Sequence, residues 1–208
     1  MDSYAKHMFT PAALGAQDEA GTREKYARVY ETRLRGPMDA DVRAFLESRT
    51  SIYIASIGET GWPYVQHRGG PLGFLKVLGD DLIGFADYKG NKQFITKGNL
   101  ATSDRVSIFA MDYARKARLK LIGHASMIGA EDDSDLASKL ATDGQGPVER
   151  LMTIRIVALD WNCPQYITPR FDTSEMTALV GPEMSRLQTH VAELEAELAA
   201  LRAQQESD

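Results

Sequence analysis

The stretch from Leu82 to Phe94 holds the residue types best placed to do chemistry. An apolar run, Leu82-Ile83-Gly84-Phe85-Ala86, leads into the turn Gly90-Asn91-Lys92 and then into a short helix-like stretch. Backbone N–H groups at a turn or helix start have no partner within the element and point outward, and an ammonium beside them adds charge, so this layout suits a phosphate. A second basic segment lies upstream, where Gly61-Trp62-Pro63-Tyr64-Val65 runs into Gln66-His67-Arg68 and Gly69-Gly70. The paired glycines let backbone pass close to a flat ligand with no Cβ in the way. Alternation along a strand puts Gln66 and Arg68 on one face and His67 on the other. Which of Gln66 and Arg68 meets a ligand stays open, Arg68 being the nearest charge. His67 alone on a strand reads first as structural.

The elements that must position these residues follow from periodicity. Residues 1–18 mix Pro, Gly, Ala and polar types without a period and read as an extended arm or a loosely ordered one. Tyr26, Val29, Tyr30 and Leu34 fall at helical spacing, and Gly36-Pro37 ends that helix. Asp39 is placed to cap a second helix carrying Val42, Phe45 and Leu46 on one face. Strands are expected at Ser51–Ile57, Pro63–Arg68, Gly73–Gly79, Leu82–Ala86, Asp104–Met111, Ala117–Ile128 and Glu149–Trp161, with a short helix over Asp132–Leu140. Many short strands, hairpin turns and few helices indicate an antiparallel barrel. Farther on, Val180, Met184, Leu187, Val191, Leu194, Leu198 and Leu201 recur at alternating spacings of four and three. This is an a/d stripe of about three heptads. It suits either an amphipathic helix packed on its own barrel or a helix paired with a mate.

In order along the chain, the Pro63-Tyr64 strand with its basic residue, the strand ending in the Lys92 turn, Val106-Ser107-Ile108-Phe109, Leu119-Lys120-Leu121-Ile122-Gly123 and the late Trp161 resemble the pyridoxamine 5′-phosphate oxidase-like family of FMN-binding split barrels. The resemblance covers roughly residues 40 to 171. It implies a mainly β fold, an antiparallel split β-barrel of the FMN-binding type with N-terminal helices and a long C-terminal helix. The implied division is an N-terminal arm and helix over 1–38, the barrel over 39–175 and the amphipathic helix over 176–208. It also implies FMN as cofactor, held at the interface of a homodimer, and an FMN-dependent oxidoreductase acting on a small molecule. The positions it assigns to the cofactor are Gln66, His67, Arg68, Phe85, Ala86, Gly90, Asn91, Lys92, Arg118, Trp161 and Gln165. No catalytic residue is assigned. The family usually has an arginine before the turn lysine, and here Asn91 stands there with one charge fewer. Alternatives are a non-enzymatic flavin carrier or sensor, and a haem-handling split barrel with His124, His67 or His190 as ligand.

The chain has 208 residues and a net charge of −5. That length buries a substantial core in one domain. The charge and the lack of any Lys/Arg run argue against nucleic-acid binding. The single Cys163 cannot form an intrachain disulfide, and with no base placed beside it, it reads as structural. The N-terminus is not followed by a signal-peptide core, and no apolar stretch approaches the roughly 18 to 20 residues a membrane span needs. A soluble protein of the reducing cytoplasm is expected. No metal-ligand spacing, dinucleotide fingerprint or Gly-x-Ser-x-Gly occurs.

Overall fold

A computed structural model of the chain describes residues 1–32, 36–161 and 164–205. Leu34 of the first helical stripe and Cys163 lie outside the described residues. The chain divides into two units, one of Met1–Asp112 with Ala117–Gln165, the other of Tyr113–Lys116 with Tyr166–Asp208.

The first unit is an open, barrel-like antiparallel sheet of seven strands flanked by helices, which is the split-barrel class. Its strands are β1 (Ser51–Ile57), β2 (Pro63–Gly69), β3 (Lys76–Val77), β4 (Leu82–Tyr88), β5 (Arg105–Asp112), β6 (Ala117–Gly129) and β7 (Val148–Trp161). They pair in the order β2-β1-β5-β6-β7-β4-β3. Alternation sends Ile52 and Ile54 of β1, Ile108 of β5, Leu119 and Leu121 of β6 and Ile154 of β7 into one core, where Phe85 and Met152 join them. Helix α4 (Ala40–Glu47) covers part of that core with Val42 and Leu46. Its start is the expected one, since the Asp39 carboxylate accepts the Val42 N–H at 2.8 Å.

The two long strands β6 and β7 slip register between Ile122 and Gly123. A Cβ at Gly123 would sit 2.4 Å from the Arg155 carbonyl oxygen, so only glycine lets the strands stay this close.

Three expectations change. Residues 1–18 hold two helices, α1 (Tyr4–Met8) and α2 (Pro11–Glu19), in place of an extended arm. The signal was local: the Thr10 hydroxyl accepts the Ala13 N–H, and Pro11 at the first helical position is already preset for a helix. Phe9 then packs edge-on against Tyr26 and Tyr30 of helix α3 (Arg23–Thr32). The strand expected over Gly73–Gly79 shortens to β3, because Gly73 turns the chain with φ of 83° just before it. The helix expected over Asp132–Leu140 splits into a 3-10 turn, Ala130–Asp132, and helix α6 (Ser134–Leu140), whose Asp133 carboxylate caps Leu136 N–H.

In the second unit, helix α7 (Thr173–Gln205) runs for 33 residues with Pro182 inside it, and the a/d stripe is exposed along its length. No helix among the described residues is long and apolar enough to cross a membrane.

Candidate functional site

Strand β2 presents Tyr64, Gln66 and Arg68 on its half-buried face, and β4 presents Asp87 toward them from across the unit. The turn after β4 does not enter a helix directly. Lys92 (φ 58°) and Phe94 (φ 56°) both adopt left-handed backbone, and helix α5 (Ile95–Thr102) begins only after them. Such a conformation costs a non-glycine residue about 1 to 2 kcal/mol. Two such residues in one turn are held by specific contacts. The Asn91 carboxamide oxygen accepts the Gln93 N–H at 3.1 Å. Phe94 offers its ring to the Arg150 guanidinium at 5.1 Å and to the Lys97 ammonium at 5.7 Å. Helix α5 is tied down by two polar bonds. Thr96 Oγ1 donates to Gln66 Oε1 at 2.8 Å, and Asn99 Nδ2 donates to Ser56 Oγ at 2.9 Å, with Asn99 and Ser56 both buried.

Together these elements enclose a cleft of about 250 Å³. Its lining carries four cations, Arg68, Lys92, Lys97 and Arg150, against the single carboxylate of Asp87. Asp87 is buried and bridges the two arginines, one oxygen accepting from Arg68 Nη1 and the other from Arg150 Nε at 2.7 Å. Arg150 reaches Glu149 as well, at 3.0 Å. Burial alone would lower the Arg150 pKa, but the hydrogen bond and charge of Asp87, with Glu149 behind it, outweigh that and hold it above its ordinary value. Arg68 Nε is buried with no hydrogen-bond partner. A buried N–H left unpaired costs about 1 to 3 kcal/mol.

Five of the eleven residues assigned to the cofactor meet in this cleft: Gln66, Arg68, Gly90, Asn91 and Lys92. The alternation of β2 brings Gln66 and Arg68 in together, so the choice between them falls away within one chain. The other six lie elsewhere. His67 faces the opposite side of β2, edge-on to Tyr53 with ring centroids 5.6 Å apart. Phe85 is core, lying 5.8 Å beneath the Arg68 guanidinium. Ala86 points away from Asp87 by the period of β4, opposite Leu151 of β7. Arg118 lies over the Phe109 ring at 5.0 Å, and its Nε, too, is buried without a partner. Trp161 packs edge-on against Phe45, and Gln165 is exposed.

Sequence reasoning missed Asp87, Thr96 and Lys97, and it assigned Arg150 no place in the cofactor site. The register of β4 on β7 sets Asp87 directly opposite Arg150, a pairing invisible until strands 63 residues apart are aligned. Of the histidines weighed as haem ligands, His124 pairs with Asp104 at 2.9 Å.

The sequence model of the pyridoxamine 5′-phosphate oxidase family matches residues 38–151, more than half of the chain and all of the cleft. The chain belongs to the pyridoxamine 5′-phosphate oxidase family. The match ends before Trp161, Gln165 and α7. Solved structures similar to the chain include HupZ of Group A Streptococcus, with 15% identity over 64% of this chain and 100% of that one and a TM-score of 0.48. A Clostridium acetobutylicum protein related to general stress protein 26, of the pyridoxinephosphate oxidase family, shares 15% identity over 59% of this chain and 85% of its own, at a TM-score of 0.44. An FMN-binding protein of Syntrophomonas wolfei shares 13% identity over 70% of this chain and 97% of its own, at a TM-score of 0.41. No curated relative matches the chain.

Proposed function

We propose that the protein is an FMN-dependent oxidoreductase acting on a small molecule, with the FMN phosphate anchored in the Lys92 cleft. The observation that carries this reading is the donor set: four cations and a partnerless buried Arg68 Nε around one carboxylate. A dianionic phosphate matches that excess of positive charge, and planar guanidinium forks suit its oxygens. Lys92 and Lys97 would supply charge at the mouth of the cleft. Arg68 would supply its guanidinium charge, and Asp87 would keep both arginines aimed. Bound FMN supplies hydride acceptance at its flavin ring, a chemistry no side chain here provides.

The cleft is smaller than the roughly 300 to 1,000 Å³ of a complete cofactor pocket. One chain therefore accommodates the phosphate end, and the flavin ring would lie where a second copy completes the site. An apolar sheet face supports such a homodimer. Tyr53 of β1 and Phe109 of β5 are cross-strand partners on the same outer face as Val65 of β2, and all three are exposed.

The absorption spectrum of the protein purified from cells tests the reading. Two visible-range bands of oxidised flavin, bleached anaerobically by a reductant and restored by an electron acceptor, are expected. A single intense Soret band would replace this reading with a haem-handling one, and flavin that is tightly retained without turnover of any amine would make the protein a carrier.

A further inference from the structure

We infer that α7 is one strand of a parallel, in-register, two-stranded coiled coil with a second copy of this chain. This goes beyond the flavin reading and does not depend on it. Pro182 has no N–H for an intrahelical bond, and the seam is followed from the residue after it. From Glu183 to Gln205 the helix extends about 35 Å at 1.5 Å per residue. Six apolar residues line one stripe of it, each between 45% and 58% exposed: Met184, Leu187, Val191, Leu194, Leu198 and Leu201.

Three features choose the occupant. The first is the seam itself. Leu187, Leu194 and Leu201 fill every d position, and β-branched Val191 sits at the central a position, a combination that favours two parallel strands over higher oligomers. The second is charge. In a parallel pair, each g residue faces the e residue five positions on in the partner. Glu197 then meets Arg202, His190 meets Glu195, and Glu183 meets the neutral Gln188, with Glu183 already held by Arg186 of its own helix at 2.7 Å. No like charges oppose. The third is register. Sliding one helix by a heptad sets Glu against Glu at two places, Glu183 on Glu195 and Glu197 on Glu195, and a slip of two heptads gives up most of the apolar layers, so the unshifted pairing is favoured. An antiparallel arrangement would lose the Glu197–Arg202 pair and mix a with d layers.

Cysteine cross-linking of the full chain reads this directly. In a Cys163→Ser background, Leu201→Cys places a thiol at a d position, where two parallel strands bring the pair together. Ala196→Cys places one on the outer f position. Mild oxidation at low protein concentration is expected to convert most of the Leu201→Cys protein to a disulfide-linked dimer and to leave Ala196→Cys monomeric on a non-reducing gel. Cross-linking that appears only when Met184→Cys and Leu201→Cys chains are mixed would show an antiparallel pair and overturn the inference. So would no cross-link at Leu201, or equal cross-linking at both single positions. Because the readout needs no flavin, its failure leaves the reading of the cleft untouched, and loss of FMN binding leaves this one untouched.

Discussion

Replacing Asp87 with Ala should separate what the cleft does for the fold from what it does for a ligand. Asp87 is 7% exposed, while the Arg68 and Arg150 side chains are 20% and 15% exposed. Removing one partner of a buried ion pair costs about 3 to 5 kcal/mol, because the remaining charge is left uncompensated. Both guanidiniums keep some access to cleft water, so the lower end, about 3 kcal/mol, applies. For a chain of this length that lowers the melting temperature by roughly 6 to 12 °C. A phosphate in the cleft would take over the missing negative charge. Saturating FMN should therefore raise the melting temperature of Asp87→Ala more than that of the parent, while riboflavin, without the phosphate, should not. Scanning calorimetry with each ligand measures both effects. A variant that melts with the parent would refute the bridging role of Asp87. A destabilised variant that gains no more from FMN than the parent does would refute the idea that phosphate and carboxylate share the two arginines.

Two further outcomes follow from packing and titration. Phe85→Ala should cost about 3 to 5 kcal/mol by chemical denaturation, since Phe85 is among the largest fully buried side chains and supports the Arg68 guanidinium. Tyr4 has its pKa raised above the ordinary 10.0 by burial and then by the nearby Asp160 charge. The unfolded chain thus releases that proton first, so the Tyr4 contribution is intact below about pH 10 and is lost as pH rises through the folded value. Tyr4→Phe should flatten the alkaline limb of the stability profile, and an unchanged limb would contradict it.

The residues that position the cleft were legible to unequal degrees. The Asp39 cap, the hairpin of β1 and β2 and the Lys92 turn are local patterns, and local patterns survive into the fold because the interactions that set them span only a few residues. The α2 start was equally local, in Thr10 and Pro11, but was hidden by the absence of any apolar period in residues 1–18. Arg150 and Asp87 could not be joined from the sequence, since their meeting depends on the β4–β7 register. Phe85 and Asp87 share one face of β4, yet one is core and the other is cleft; which is which depends on Arg68 arriving from β2. All eleven assigned positions came from family likeness, and the cleft gathers the five carried by the half-buried face of β2 and the Lys92 turn.

Whether this cleft holds the phosphate of FMN is tested most directly by a paired titration. Flavin fluorescence should be followed as the parent and Lys92→Ala are each titrated with FMN and with riboflavin. A charge-assisted contact to phosphate contributes about 1.5 to 3 kcal/mol. Lys92 is exposed at the cleft mouth, so the lower figure applies and FMN affinity should fall about tenfold. Riboflavin affinity should be the same for both proteins. Equal FMN affinity in parent and variant, or an equal loss for riboflavin, would contradict the account.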